Sequence, residues 1–158
     1  MTLADQDRST WHHDELRVGL ELINQLRPAD DYAEQLRLQA LIAAEHAQAP
    51  AAKATNWTAI AGYYAALEAQ TGSAIVRLNR AVAVAEAKGP QAGLALLAGL
   101  DDILVDNHRL AAVRGDLARR AGSTDLTIAS YRQAIDLCAN DVERAHLSRR
   151  LVEIQPLD

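Results

Sequence analysis

The chain has no phenylalanine, and aromatic residues make up only 4% of its 158 positions. A core without ring stacking must be filled by Ala, Leu, Val and Ile. Cysteine is nearly absent too: Cys138 stands alone, which excludes an internal disulfide and fits a reducing compartment. No stretch approaches the roughly 18 consecutive apolar residues of a membrane-crossing helix. The first residues carry Asp5, Asp7 and Arg8 in place of the apolar run of a secretory signal. A cytoplasmic protein with no membrane partner is therefore expected. Positive charge is never clustered: Arg119-Arg120 and Arg149-Arg150 are too short for a basic patch. They read as solvated faces, or as partners of Asp116 and Glu153. Direct nucleic-acid binding is not expected, because phosphate contacts need grouped Lys and Arg.

What is present points to helices. Thirty-two residues are Ala, the best helix former, and small side chains let helix axes approach closely. The length fits one domain with a sizeable core. The net charge of −5 is concentrated in residues 1–50, which hold nine acidic and four basic side chains, and the rest of the chain is balanced.

Helix punctuation is regular. Leu16, Leu20, Ile23 and Leu26 recur at helical spacing up to Pro28. Asp30 or Asp31 caps a second helix with a stripe of Leu36, Ala40, Ala43 and Ala47, closed by Pro50. Thr55 or Asn56 opens a third, with Trp57, Ile60, Tyr64 and Leu67 on one face, and Gly72 stops it. Ser73 caps a fourth carrying Ile75, Leu78, Val82 and Ala85. Gly89-Pro90 starts a short fifth with Leu94, Leu97 and Leu100. After the polar connection Asp101–Asn107, Leu110, Val113 and Leu117 mark a sixth helix, ended by Gly122. Ser123 caps a seventh with Tyr131, Ala134, Ile135 and Cys138 inward. Asn140-Asp141 begins the last, through Val142, Ala145, Leu151 and Val152. About eight helices joined by short turns make antiparallel hairpins. Gly89 and Gly122 are 33 residues apart, near the roughly 34-residue tetratricopeptide period. Gly115, Gly122, Tyr131 and Ala134 follow the order of that motif: a small residue where two helices touch, a turn, an aromatic, then Ala. The expected fold is all-α, a tetratricopeptide-like solenoid. Residues 1–28 form a junction segment and first helix, and residues 29–158 the repeat domain, within one compact whole.

Catalytic chemistry is hard to find. His12-His13-Asp14-Glu15 has ligand-type side chains, but neighbours on a helix point about 100° apart and cannot chelate one ion well. Cys138 with His46, His108 or His146 has no Gly-rich elbow and no acidic partner at a telling spacing, so a buried inert thiol is expected. Gly89-Pro90 and Gly93 read as punctuation, not as a phosphate loop. Neither an enzyme nor any metal or cofactor is expected. Candidate partner-binding residues are Asp5, Asp7, Arg8 and Trp11, one of the adjacent pair Tyr63 and Tyr64 (Tyr63 being taken), and Asn79 with Arg80. The last two interrupt an apolar helix, either gripping a partner on the concave face or pairing within the chain. In the segment Asp5–Trp11 a structural role competes: Asp7 and Arg8 pair, Ser9 caps the first helix, and Trp11 anchors it against Leu16 or Leu20.

Three blocks carry a family likeness. Leu3 to Trp11, Leu38 to Ala47, and Val76 to Glu86 followed by Gly89-Pro90 and Ala92 to Leu97 resemble extracytoplasmic-function RNA polymerase sigma factors with a long tetratricopeptide-like C-terminal extension. Asn56 departs from the pattern, which has Asp before Trp. The resemblance implies that Asp5–Trp11 is the seam to promoter-recognising and polymerase-binding regions upstream. The chain then corresponds to an isolated extension, or to a stand-alone descendant of one, that controls transcription initiation by contacting sigma regions or core RNA polymerase. The competing expectation is a general peptide-binding adaptor with no role in transcription.

Overall fold

The computed structural model describes residues 11–28 and 31–154, and these residues hold eight α-helices, one short 3-10 turn at Ala52–Ala54 and no strand. In chain order they are α1 (His13–Gln25), α2 (Asp31–Gln48), α3 (Trp57–Thr71), α4 (Ala74–Lys88), α5 (Pro90–Leu96), α6 (His108–Arg120), α7 (Thr124–Leu137) and α8 (Asp141–Ile154). The all-helical reading is met, and the helix order follows the sequence punctuation. The chain divides into two compact units, Met1–Val76 and Arg77–Asp158, the division falling in the first turn of α4.

In the first unit α2 packs on both α1 and α3. The Asn56 carboxamide caps α3 by accepting from Ala59 N at 3.2 Å, and Gly72 leaves it with φ 61°. The inward face of α2 departs from the expected stripe: Leu38, Ile42 and Ala44 are buried with Glu34, while Leu36 is 49% exposed. An alanine-rich helix looks apolar all round, so its sequence barely marks the phase. The phase settles where Glu34 can meet Arg37 in a two-pronged ion pair at 2.6 Å. Helix α1 buries no side chain fully. Its N-cap position is His12, which makes no side-chain capping bond; Ser9, expected there, lies outside the described residues.

The second unit is built by sequential packing of α5 on α6, α6 on α7 and α7 on α8. Gly89 (φ 99°) turns the chain into Pro90 at the head of α5. At the far end of α5, Arg77 donates from Nε to Leu96 O (2.8 Å) and from Nη2 to Ala98 O (3.1 Å). It thereby satisfies carbonyls that the helix end leaves open. Asn107 caps α6 by accepting from Leu110 N (3.1 Å), and Asn140 caps α8 by accepting from Val142 N and Glu143 N (3.0 and 3.1 Å). Ser123 holds the N-cap position of α7 without a side-chain bond; its carbonyl instead accepts from the buried Thr127 hydroxyl at 2.8 Å.

Two glycines set the spacing. Gly93, expected as punctuation, is a packing residue: a methyl there would lie 2.7 Å from both Ala81 O and Ala85 Cβ. Gly115 stands directly against the Tyr131 ring, as its place in the motif suggested. Around Tyr131 gather Ala111, Ala134 and Leu147, with Leu151 and Ile154 packed beside them. On α8 Leu147 is the buried contact, while Val142 and Val152 are 80% and 58% exposed.

Candidate functional site

The built surface of the second unit is a groove of about 330 Å³ lined from α4, α6 and α8, with Tyr131 of α7 beneath. Val82, Val113, Leu117 and Leu147 supply an apolar floor. The rim is charged and internally paired. Glu86 meets Arg120 at 2.5 Å, and Asp116 meets Arg150 at 2.8 Å and Arg119 at 3.0 Å. Arg120 also stands 3.8 Å from Asp116. The Arg119 guanidinium is held above its ordinary value, first by its bond to Asp116. That of Arg150 is raised first by the Tyr131 hydroxyl. The hydroxyl is buried and lies on the guanidinium side without a well-formed bond of its own. Next to the groove a cleft of about 440 Å³ is lined by Arg119, His146, Arg149, Arg150 and Glu153. An apolar floor inside a rim of arginines and carboxylates suits a protein segment with apolar anchors and charged flanks.

The sequence candidates are distributed differently. Asp5, Asp7 and Arg8 lie outside the described residues. Trp11 is half-buried and lines a cavity of about 500 Å³ together with Leu16, Leu20, Ala47 and Pro50. Tyr63 and Tyr64 are both half-buried on α3. Tyr63 lies in the field of Arg37, and burial pushes the Tyr64 hydroxyl above its usual value. Asn79 and Arg80 are half-buried on α4, while the groove takes Val82 and Glu86 from that helix.

Arg119 and Arg150 do pair with Asp116, one of the partners considered for the arginine doublets. What sequence reasoning missed is their convergence with Arg120 and Glu86 on one groove. The signal was the spacing: Glu86 to Arg120 and Asp116 to Arg150 are each 34 residues apart.

A second group was also missed. One donor atom each from His108, Cys138 and Glu143 lies within 4.8 Å of the others, and His108 Nε2 is 3.4 Å from Glu143 Oε2. The acidic neighbour that spacing alone did not single out is Glu143, five residues after Cys138 in the first turn of α8. Cys138 itself is 3% exposed, and its Sγ reaches Asn140 O at 3.5 Å. A thiol so enclosed is poorly placed to attack a substrate.

No family model matches the chain, and no solved structure matches it. An uncharacterized protein of Rhizobium meliloti (strain 1021) is 34% identical over 153 residues, covering 94% of this chain and 35% of that protein. The chain thus spans about a third of the length of that relative. Among the described residues no helix is long and apolar enough to cross a membrane.

Proposed function

We propose that the chain is a regulatory protein-interaction domain of an extracytoplasmic-function sigma factor, acting in the cytoplasm on transcription initiation. Its contacts would be with sigma regions or core RNA polymerase. The observation that supports the protein-interaction part of this reading is the pair of groove bridges at a 34-residue separation, Glu86–Arg120 and Asp116–Arg150. In a tetratricopeptide-like stack, equivalent positions on successive first helices recur at that interval and line the concave face. The bridges supply what the degenerate glycine pattern of the first hairpin lacks. The Gly115–Tyr131 contact supports the same reading.

The sigma-factor assignment rests on the three sequence blocks. A longer relative aligned along nearly the whole chain is compatible with a module of a larger protein. The mechanism is recognition without chemistry. The groove takes an apolar segment of the partner, and its rim arginines exchange internal carboxylates for those of the partner. The acidic first 50 residues favour approach to a basic surface.

A pull-down tests the proposal: the immobilised chain is offered purified sigma regions and core RNA polymerase. Retention of either supports the assignment. Failure to retain both, with capture of unrelated amphipathic peptides, would favour the adaptor reading.

A further inference from the structure

We propose that His108, Cys138 and Glu143 form a binding site for one divalent ion of the zinc class. The three residues come from different elements of the second unit. His108 opens α6, Cys138 ends α7, and Glu143 lies in the first turn of α8. Their donor atoms nevertheless fall within 4.8 Å of one another.

The spacing suits coordination better than direct bonding. The His108–Glu143 separation of 3.4 Å is long for a strong hydrogen bond. Two ligand atoms at about 2.0–2.2 Å from a tetrahedral ion stand roughly 3.3–3.6 Å apart. The sulfur, within 4.8 Å of both other donors, is the third corner of the face and closes on the ion to bind it. Charge also balances, since a thiolate, a carboxylate and a neutral imidazole around a divalent ion sum to zero. Neutrality removes the main cost of placing charge beside a buried group. Arg144 donates to Cys138 O at 3.1 Å and pairs with Asp141, so its charge is already met.

The donor set selects the metal. Sulfur with imidazole nitrogen favours zinc and related ions, whereas magnesium and calcium prefer oxygen alone. Three protein ligands leave a fourth position for water or another ligand. His108 and Glu143 are 30% and 46% exposed at their side chains, which gives an ion a way in. Bound there, the ion ties the start of α6 and the first turn of α8 to the end of α7. An ion that binds only the folded chain stabilises it by mass action.

The test is a titration of the full chain, without an affinity tag, reduced and stripped of metal, with Co²⁺ and then with Zn²⁺ as competitor. The expected result is one equivalent of Co²⁺ with a thiolate-to-cobalt charge-transfer band, displaced by Zn²⁺ and absent in Cys138→Ala. Glu143→Gln and His108→Gln should each weaken binding by about tenfold or more. Both positions are partly exposed, so these variants decide the matter even if Cys138→Ala fails to fold. The exposed His12–Glu15 stretch has no thiol and cannot produce the band. Absence of the band in the wild-type chain, or affinity unchanged in both Gln variants, would overturn the site.

Discussion

A β-carbon on Gly115 would stand 2.6 Å from Cδ1 and 2.7 Å from Cε1 of Tyr131. Helices α6 and α7 therefore meet through bare backbone on one side and a phenol ring on the other. The ring is 1% exposed and enclosed by Ala111, Ala134 and Leu147, so it has little room to retreat. Gly115→Ala gains about 1 kcal/mol of helix propensity, but overpacking of this kind costs about 1–3 kcal/mol. A net loss of up to about 2 kcal/mol is expected in urea unfolding. Gly62, inside α3, has nothing within 4 Å of its virtual β-carbon. There the same substitution should stabilise by roughly 0.5–1 kcal/mol. Opposite signs at two helical glycines separate a packing requirement from simple propensity.

Arg77 closes the end of α5 with two hydrogen bonds to carbonyls. Charged donors to backbone acceptors contribute about 1.5–3 kcal/mol each where buried, and partial exposure here argues for the lower end. Arg77→Met keeps the aliphatic stem and should cost about 1–2 kcal/mol. Arg77→Lys should recover only part of that, because one ammonium cannot reproduce the two-pronged fork. Chemical denaturation of the three proteins ranks them.

Glu34 is buried on α2, and both its oxygens hold Arg37. The Arg37 guanidinium is held above its ordinary value first by that bond. Removing either side chain takes this two-pronged bond from the other. Glu34→Ala and Arg37→Ala should each destabilise by about 1–2 kcal/mol, and the double variant by less than their sum. A double-mutant cycle in urea measures the coupling; strict additivity would mean that the pair contributes nothing.

Burial raises the Tyr64 hydroxyl above the ordinary tyrosine value of about 10. The folded chain then keeps a proton that the unfolded chain releases at lower pH. The stability linked to this group is complete below the unfolded value and is lost as pH rises from about 10 through the folded value. Melting temperatures of the wild type should fall more steeply above about pH 10 than those of Tyr64→Phe. Parallel curves would show that Tyr64 does not titrate differently on folding.

Much of the architecture was legible in the sequence because it is written locally. Asn56, Gly72, Gly89-Pro90, Asn107 and Asn140 mark helix ends through their own backbone chemistry. Which face turns inward was less legible. In α2 the alanines blur the phase until Glu34 finds Arg37, and in α8 the valines stay exposed around Leu147. Gly93 looked like a stop because its reason, the backbone of Ala81, lies on another helix. The groove was hidden for the same cause: Glu86 and Arg120 are strangers until a 34-residue superposition lays one helix beside the next. Likewise, nothing near Cys138 names His108, thirty residues earlier, as its neighbour.

The most direct measurement is a calorimetric titration of the chain into purified sigma regions and, separately, core RNA polymerase. Arg120→Glu serves as the groove variant and Asp125→Lys, on an exposed turn of α7 outside the groove lining, as the control. Melting curves should first establish that both variants are folded. Saturable binding to one partner, weakened by about tenfold in Arg120→Glu and unchanged in Asp125→Lys, is the expected result. No heat with either partner, or equal affinity for Arg120→Glu and the wild type, would contradict a groove that serves a sigma factor.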